Sequence, residues 1–341
     1  MQRCLELAKK GAGNVSPNPM VGCVIVHNGE IIGEGYHEKF GENHAEVNAI
    51  NSVVNQKLLK DSVLYVTLEP CAHYGLTPPC SNLIVEKNIP KVVVGTIDPF
   101  TEVAGKGIEQ MKNAGIDVQL GMLETECREI NKRFFTFHEK RRPYIFLKWA
   151  QTSDGFIDMV RNADQYGQPI WITGEEALKR VHQMRAEEDA IMVGTTTALK
   201  DNPGLTVRYV PGKNPVRVVL DNGLRLPKNL NVFDTSAPTL IYNSVKNEIA
   251  GNLTFIKIDF KENVPIQILN NLYQQNIQSV IIEGGKILIE SFMRAGLWDE
   301  AFVFEGDKKF NSGVEAPKTP ERLVHFEILG KDELYVFHNT G

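Results

Sequence analysis

The stretch "SVLYVTLEPCAHYGLTPPCSNLIVEKNIPKVVVGTID", residues 62–98, decides the fold of the first half of the chain. It contains an apolar strand, a loop with a cysteine near each end, a short helix and a second apolar strand. Strands that alternate with helices predict an α/β layer with a partly parallel sheet. Eight residues separate Cys71 from Cys80. Zinc-finger cysteines are typically about two to four residues apart, so a different kind of site is expected.

The same alternation of strands and helices continues on both sides of this stretch. The segment before it predicts a helix and then two strands around the Asn28-Gly29 turn, and "GKGIEQMKNAG" after it predicts a helix closed by Gly115. The basic run "HEKRRP", residues 138–143, precedes a second series that ends in "SVIIEGGKILIESFMRAG". Because 341 residues are long for one domain, we expect two α/β domains, residues 1–140 and 143–341.

Composition excludes several classes of protein. The net charge of −5 disfavours a nonspecific nucleic-acid binder, which needs a broad basic surface. No window approaches the ~18 apolar residues of a membrane span, and the N-terminus lacks the apolar core of a secretory signal. Five scattered cysteines do not make a disulfide framework. We therefore expect a cytoplasmic protein that binds neither nucleic acid nor membranes, in which clustered cysteines bind metal or act in catalysis.

Three residues of the first half have the chemistry of a zinc site. His44 precedes a predicted helix, Cys71 follows a predicted strand, and Cys80 begins another helix, where the helix dipole favours thiolate. One imidazole and two thiolates leave the fourth tetrahedral position of zinc open, and zinc lowers the pKa of a water bound there to about 7. We predict one catalytic Zn²⁺ per chain, with Glu46 as the proton shuttle.

Simpler interpretations of these residues stay open. His-Ala-Glu occurs by chance in many proteins, and both cysteines could be small buried hydrophobic residues. A structural zinc would need a fourth protein ligand, for which His73 is the nearest candidate. The pattern also departs from the H-x-E and P-C-x-x-C signature of zinc nucleobase deaminases, because its two cysteines are farther apart.

Several segments together resemble the bifunctional deaminase–reductases of riboflavin biosynthesis. They are "SPNPMVG" (16–22), "HAE" (44–46), "TLEPCAHYGLTPPC" (67–80), "VGTTTALKDNPGLTVR" (193–208) and "EGG" (283–285). The resemblance implies a cytidine-deaminase-like αβα domain followed by a dihydrofolate-reductase-like α/β domain. It further implies zinc-dependent deamination of a phosphoribosylamino-pyrimidine, NADPH-dependent reduction of its ribosyl group to ribityl, and a homo-oligomer.

The resemblance also implies roles for individual residues. In the first domain it implies substrate contacts for Asn18, His37, His73 and Asp98. In the second domain it implies substrate contacts for Arg185, Leu205, Arg208 and Glu283. It implies NADPH contacts for Ala150, Trp171, Thr197, Asp201, Gly285, Lys286, Ile287 and Leu288. Simpler roles stay open for some of them: Asp98 could cap a turn, His37 could be solvated, Arg185 could lie on a solvated helix face, and the Gly284-Gly285 pair could be only a tight turn.

The chain departs from the family pattern at a few positions, and two other functions stay open. Leu76 replaces a usual basic residue, Phe100 a usual asparagine, and Pro169 and Ile170 a pair that contains serine. These changes affect expected substrate contacts. The alternative functions are a zinc deaminase of another base with a non-reductase second domain, and a zinc-stabilised binding protein. Asp154, in "TSDG", is interpreted as a turn residue.

Overall fold

The computed structural model describes residues 1–72, 78–100 and 104–339, so His73 and Leu76 lie outside the described residues. The chain divides into two units, Met1–Arg141 and Arg142–Gly341. Within the described residues, no helix has both the length and the apolar character that crossing a membrane requires.

The first unit is built on a five-stranded sheet with the order β2-β1-β3-β4-β5. Its strands are β1 (Gly22–His27), β2 (Glu30–Tyr36), β3 (Val63–Leu68), β4 (Lys91–Thr96) and β5 (Asp117–Leu120). Its helices are α1 (Gln2–Ala8), α2 (Ala45–Ser52), α3 (Cys80–Glu86), α4 (Lys106–Asn113), α5 (Glu124–Ile130) and α6 (Lys132–Lys140), with short 3-10 helices at Lys9–Gly11 and Gln56–Asp61.

The pairing of β3 with β4 positions the loops of the first unit. The two strands are parallel, and Leu68 pairs with Thr96 at their carboxyl ends. The segments that carry Cys71 and Asp98 therefore leave the sheet at the same edge. The predicted hairpin is also present, because β1 and β2 are antiparallel and Asn28 and Gly29 have the positive φ values, 49° and 83°, of a tight hairpin turn.

Helices α2, α3 and α4 pack on this sheet around one apolar cluster, whereas α1 and α6 contribute to two smaller ones. The buried residues of the large cluster come from β1, β3 and β4 and from α2, α3 and α4. Asn131, between α5 and α6, is only 3% exposed. Its side chain accepts a hydrogen bond from the Met20 N–H and donates one to the Met20 carbonyl, both at 2.8 Å. This amide therefore fixes the segment before β1 to the last two helices of the unit.

The second unit is built on a ten-stranded sheet with the order β11-β12-β10-β9-β8-β13-β6-β14-β17-β16, and β15 pairs with β7 in a small separate sheet. Its strands are β6 (Tyr144–Thr152), β7 (Phe156–Asp158), β8 (Ala190–Gly194), β9 (Val216–Leu220), β10 (Thr239–Asn243), β11 (Glu248–Ala250), β12 (Leu253–Lys257), β13 (Ser279–Ile282), β14 (Glu300–Gly306), β15 (Val314–Glu315), β16 (Leu323–Leu329) and β17 (Asp332–His338). Its helices are α7 (Glu175–Glu187), α8 (Thr195–Asp201), α9 (Val264–Gln274) and α10 (Lys286–Arg294), with 3-10 helices at Ala163–Gln165 and Asn231–Phe233.

The centre of this sheet is parallel and carries an apolar cluster on each face. Strands β12, β10, β9, β8, β13, β6 and β14 pair in parallel, whereas β17, β16 and β11 are antiparallel to their neighbours. The residues of β13 are all buried. A strand covered on both faces has a continuous apolar sequence, which is why "SVII" was recognisable as a strand.

Several elements near the edges of the sheets were not predicted from the sequence. They include β5, α5 and α6 in the first unit and β16 and β17 in the second. The residues of β5 and β16 are mostly exposed. An exposed edge strand has neither a buried face nor an apolar run, so its sequence resembles that of a loop.

Candidate active sites

The three predicted zinc ligands converge at the carboxyl edge of the first sheet. Cys71 follows β3, Cys80 is the first residue of α3, and His44 is the N-cap residue of α2. The His44 Nδ1 atom lies 3.5 Å from Cys71 Sγ and 3.4 Å from Cys80 Sγ. The three donor atoms all lie within 4.8 Å of one another. Ligands that are far apart in sequence are therefore close in space.

This arrangement fits a zinc ion. With ordinary Zn–N and Zn–S bond lengths, tetrahedral geometry requires an N···S separation of about 3.6 Å, close to the separations seen here. Among the described residues, no fourth His, Cys, Asp or Glu belongs to the cluster. The hydrogen bond from the Cys80 thiol lowers the pKa of Cys71, so one thiol of the pair ionises readily. The donor set is that of a site with one open position.

Glu46 lies beside this cluster in the first turn of α2 and is only 3% exposed. Burial raises the pKa of its carboxyl from 4.5 to about 7. A carboxyl whose pKa lies near neutrality can both accept and return a proton, which is the property that a proton shuttle needs.

His37 and Asn18 form a hydrogen-bonded pair next to His44. His37 is 2% exposed, so the alternative of a solvated histidine is wrong. Its Nδ1 lies 3.0 Å from the Asn43 carbonyl and therefore donates, which leaves Nε2 to accept from Asn18 Nδ2 at 3.1 Å. The His37 and His44 rings meet edge to face, 5.4 Å between centroids. The pair is thus fixed against the metal-ligand cluster.

Asp98 lies at the same edge, after β4, and is 8% exposed. Burial raises the pKa of its carboxyl to about 7. Its Oδ1 accepts a hydrogen bond of 2.8 Å from the Phe100 N–H, so it does cap a turn. Its own N–H donates to Glu69 Oε2 at 3.3 Å. Glu69 was missed by the sequence analysis, although an acidic residue directly after an apolar strand was a usable signal.

The second unit contains a cavity of about 1070 Å³ at the carboxyl ends of its central strands. Every residue that the resemblance assigns to the second site lines this cavity. Pro169 and Ile170, two of the departures from the family pattern, line it as well. Leu205 is 1% exposed and Trp171 is 49% exposed, so the lining extends from the core to the surface.

A buried ion pair joins α7 to the end of β13 inside this cavity. Arg185 donates to both carboxylate oxygens of Glu283, at 3.2 and 2.8 Å. Arg185 is 8% exposed, so the alternative of a solvated helix face is wrong. Lys148, which the sequence analysis missed, lies 4.0 Å from Glu283. Burial opposes ionisation of Glu283, but the two cations outweigh it and lower its pKa to about 2.

Gly284 and Gly285 are required for two different reasons. A Cβ on Gly284 would lie 2.8 Å from the Val193 Cα, so only glycine allows this close packing on β8. Gly285 has a φ of 62°, which favours glycine, and it precedes α10. The first N–H groups of a helix have no partner within it, and here they belong to residues that line the cavity. The pair is thus a tight connection that also presents backbone donors.

Asp201 is held by a second charged network in the cavity wall. Its Oδ1 accepts a hydrogen bond of 2.6 Å from Arg161, which also pairs with Asp158 at 3.0 Å. Arg161 is 9% exposed and was missed by the sequence analysis, because its partner Asp201 lies 40 residues away in the chain. Asp154 lies in the predicted turn, since the Gly155 N–H donates to the Thr152 carbonyl at 2.9 Å. Its carboxylate also accepts from the distant N–H groups of Phe310 and Asn311.

Known proteins resemble both units. The family model "Cytidine and deoxycytidylate deaminase zinc-binding region" matches residues 1–96, and "RibD C-terminal domain" matches residues 143–306. The riboflavin biosynthesis protein RibD of Aquifex aeolicus is 43% identical, over 99% of this chain and 97% of that protein. RibD of Escherichia coli is 35% identical, over 92% of this chain and 88% of that protein.

Two solved structures also match the chain over nearly its full length. A Thermotoga maritima diaminohydroxyphosphoribosylaminopyrimidine deaminase/5-amino-6-(5-phosphoribosylamino)uracil reductase is 39% identical with a TM-score of 0.89, covering 99% of this chain and 97% of that chain. RibD of Acinetobacter baumannii is 33% identical with a TM-score of 0.89, covering 100% and 98%.

These matches confirm the prediction of a cytidine-deaminase-like domain followed by an α/β reductase domain. They contradict the alternatives of a non-reductase second domain and of a binding protein without enzymatic activity. The chain belongs to the RibD family, the bifunctional deaminases and reductases of riboflavin biosynthesis.

Proposed function

We propose that this chain converts 2,5-diamino-6-(5-phosphoribosylamino)pyrimidin-4-one in two steps. Residues 1–140 remove the C2 amine hydrolytically, and residues 143–341 reduce the ribosyl group to ribityl with NADPH. The observation that carries the proposal is the convergence of His44, Cys71 and Cys80 beside the buried carboxyl of Glu46. The activity for which the Thermotoga relative is named supports the choice of substrate.

In the first step, the chain supplies ligands, a proton carrier and a shaped binding site. His44, Cys71 and Cys80 hold one zinc ion, which when bound supplies Lewis-acid activation of water. Glu46 takes a proton from the attacking water and gives it to the leaving nitrogen, so that ammonia departs and oxygen takes its place. The fixed His37–Asn18 pair and the carboxyl of Asp98 orient the pyrimidine.

In the second step, NADPH supplies the hydride and the chain mainly positions the two reactants. Glu283 stays ionised and holds Arg185 and Lys148 in the cavity wall. Arg208 is exposed in the same cavity, and a guanidinium fork matches the phosphate of the substrate. The cofactor would be bound by residues that line the same cavity, namely Ala150, Trp171, Thr197, Asp201 and the segment 285–288.

A free cation in the cavity supports NADPH over NADH. Arg225 lines the cavity shortly after the end of β9. Its backbone N–H donates to Asp221, but among the described residues its guanidinium has no hydrogen-bond or ion-pair partner. An unpaired guanidinium suits the additional 2′-phosphate of NADPH. Arg225→Gln should lower the ratio of kcat/KM for NADPH to that for NADH by about tenfold.

One experiment tests both activities. Zinc-loaded protein is mixed with the diaminopyrimidine ribosyl phosphate and NADPH. The release of ammonia and the absorbance of NADPH are measured together over time. We expect NADPH oxidation only after ammonia release, because the reductase acts on the deaminated product. Ammonia without NADPH oxidation would contradict the reductase assignment, and the absence of both signals would contradict the substrate.

Two further properties stay predictions. A reducing cytoplasm suits a chain whose five cysteines are all free thiols, two of them proposed metal ligands. A homo-oligomer is expected from the family resemblance. Size-exclusion chromatography coupled to light scattering measures the oligomeric state directly.

A further inference from the structure

Glu69 holds together two backbone segments of the first unit. It is 3% exposed and lies between the end of β3 and Cys71. Its Oε2 accepts hydrogen bonds from the N–H groups of Asp98, at 3.3 Å, and Gly105, at 2.9 Å. Its Oε1 accepts from Gly107, at 2.9 Å, and Ile108, at 3.2 Å. One carboxylate thus satisfies four backbone donors.

Three of the four donors lie at the start of α4, and the fourth is the Asp98 N–H. Oε1 accepts from the first turn of α4, where a negative charge is favoured by the free N–H groups and the helix dipole. Oε2 accepts from Gly105, the N-cap residue of α4, and from Asp98. Glu69 is therefore more than a helix cap, because its Oε2 joins the start of α4 to the Asp98 N–H.

The backbone around Glu69 is equally fixed. The Glu69 N–H donates to the Thr96 carbonyl at 2.9 Å, which extends the pairing of β3 with β4. A Cβ on Gly107 would lie 2.0 Å from the Pro70 carbonyl oxygen, so α4 packs directly on the backbone next to Cys71. The position of the carboxylate relative to the zinc-ligand segment is thus set on two sides.

We propose that Glu69 is a positioning residue for the deaminase substrate: it fixes Asp98, which contacts the pyrimidine, relative to the segment that carries Cys71. This inference rests on the proposed function of the first site. It predicts that Glu69 acts on substrate binding through Asp98 and leaves the metal ligands in place.

The first test is Glu69→Gln. The amide keeps one acceptor oxygen, but its NH₂ group faces two backbone donors, so two of the four hydrogen bonds are lost. The helix dipole favours the remaining oxygen at Gly107 and Ile108, so the Asp98 N–H loses its partner. We expect the KM for the pyrimidine to rise about tenfold, with kcat within about twofold and zinc content unchanged. Loss of zinc, or an unchanged KM, would overturn the proposal.

A double-mutant cycle separates positioning from general destabilisation. Asp98→Asn, Glu69→Gln and the double variant are compared by their KM values. If Glu69 acts through Asp98, the double variant is little worse than the poorer single variant. Additive effects would overturn the proposal.

Ser62→Ala is the matched stability control. It removes a buried hydrogen bond of 2.7 Å to Leu58 at the opposite end of β3, about 20 Å from Glu69. It should lower Tm without changing KM, and a KM change as large as that of Glu69→Gln would overturn the proposal.

Hydrogen exchange gives a measurement that needs no substrate. In zinc-loaded Glu69→Gln, the amide of Asp98 should exchange faster than in the wild type, whereas the amides of β4 should not change. If Glu69→Gln does not fold, Glu69→Asp keeps the charge and should show a smaller change at the same amide. Unchanged exchange at Asp98 would overturn the inference even if the substrate assignment stands. A wild type that releases no ammonia would contradict the proposed function instead.

Discussion

Glu46 in the first unit and Glu283 in the second are both buried carboxyls, yet their surroundings move their pKa values in opposite directions. Burial raises the pKa of Glu46 to about 7. For Glu283, the charges of Arg185 and Lys148 outweigh the effect of burial and lower the pKa to about 2. The first carboxyl can therefore exchange protons near neutrality, whereas the second is a permanent anion that organises cations.

This difference matches the chemistry proposed for the two units. Hydrolytic deamination moves protons between water and a leaving nitrogen, so it needs a group that titrates near neutral pH. Reduction by a nicotinamide cofactor leaves the chemistry to the cofactor, so the protein needs fixed charges that position an anionic substrate.

The largest expected effect comes from removing the titrating carboxyl. Glu46→Gln should lower ammonia release by about 10³-fold, because an amide at this position cannot carry the proton. Zinc content and reduction of the deaminated product should not change. Glu42→Gln, at an exposed position two residues before His44, is the control and should retain activity. Loss of metal in Glu46→Gln would contradict the shuttle role.

The next largest effect comes from breaking the ion pair of the second unit. Arg185→Gln leaves Glu283 buried beside Lys148 alone and should destabilise this unit by about 4 kcal/mol. All three tryptophans of the chain, Trp149, Trp171 and Trp298, belong to the second unit, so their fluorescence during denaturation reports on it. Lys179→Gln, exposed on the same helix, is the control. Equal stability of the two variants would contradict the importance of the pair.

Acid should weaken the second unit through Glu283. Its folded pKa of about 2 lies below the ordinary 4.5, so its contribution to stability is fully present above about pH 4.5 and is lost as the pH falls towards 2. The contribution is about 3 kcal/mol. The difference in unfolding free energy between wild type and Glu283→Gln should therefore shrink by about this amount between about pH 6 and pH 2. A constant difference would show that the ion pair does not set this pKa.

The smallest effect concerns Arg208, an exposed cation that lines the cavity. Arg208→Gln should raise the reductase KM about tenfold for the phosphorylated substrate, through loss of charged hydrogen bonds. The KM of the same variant for the dephosphorylated substrate should change little. Lys213→Gln, exposed in the same connection, is the control. An equal effect on both substrates would assign Arg208 a role other than phosphate binding.

The two sites also differ in how far the sequence predicts them. His44, Cys71 and Cys80 were predicted because each lies at the start or end of a regular element, and the order of elements implies that these ends meet. The second site was assigned mainly by resemblance, since its residues come from many separate segments. Glu69 and Lys148 were missed because their interactions become visible only when distant segments pack together: the partners of Glu69 lie 29 to 39 residues away.

The reciprocal hydrogen bonds between Asn131 and Met20 bear on where the first unit can be shortened. The zinc-binding family model ends at residue 96, which suggests a natural place to cut. A chain cut there would lack Asn131, so the backbone that leads from Asn18 to β1 would lose a buried anchor. The smallest fragment expected to deaminate on its own therefore extends through α6, and fragments for separate production of the two activities should divide after that helix.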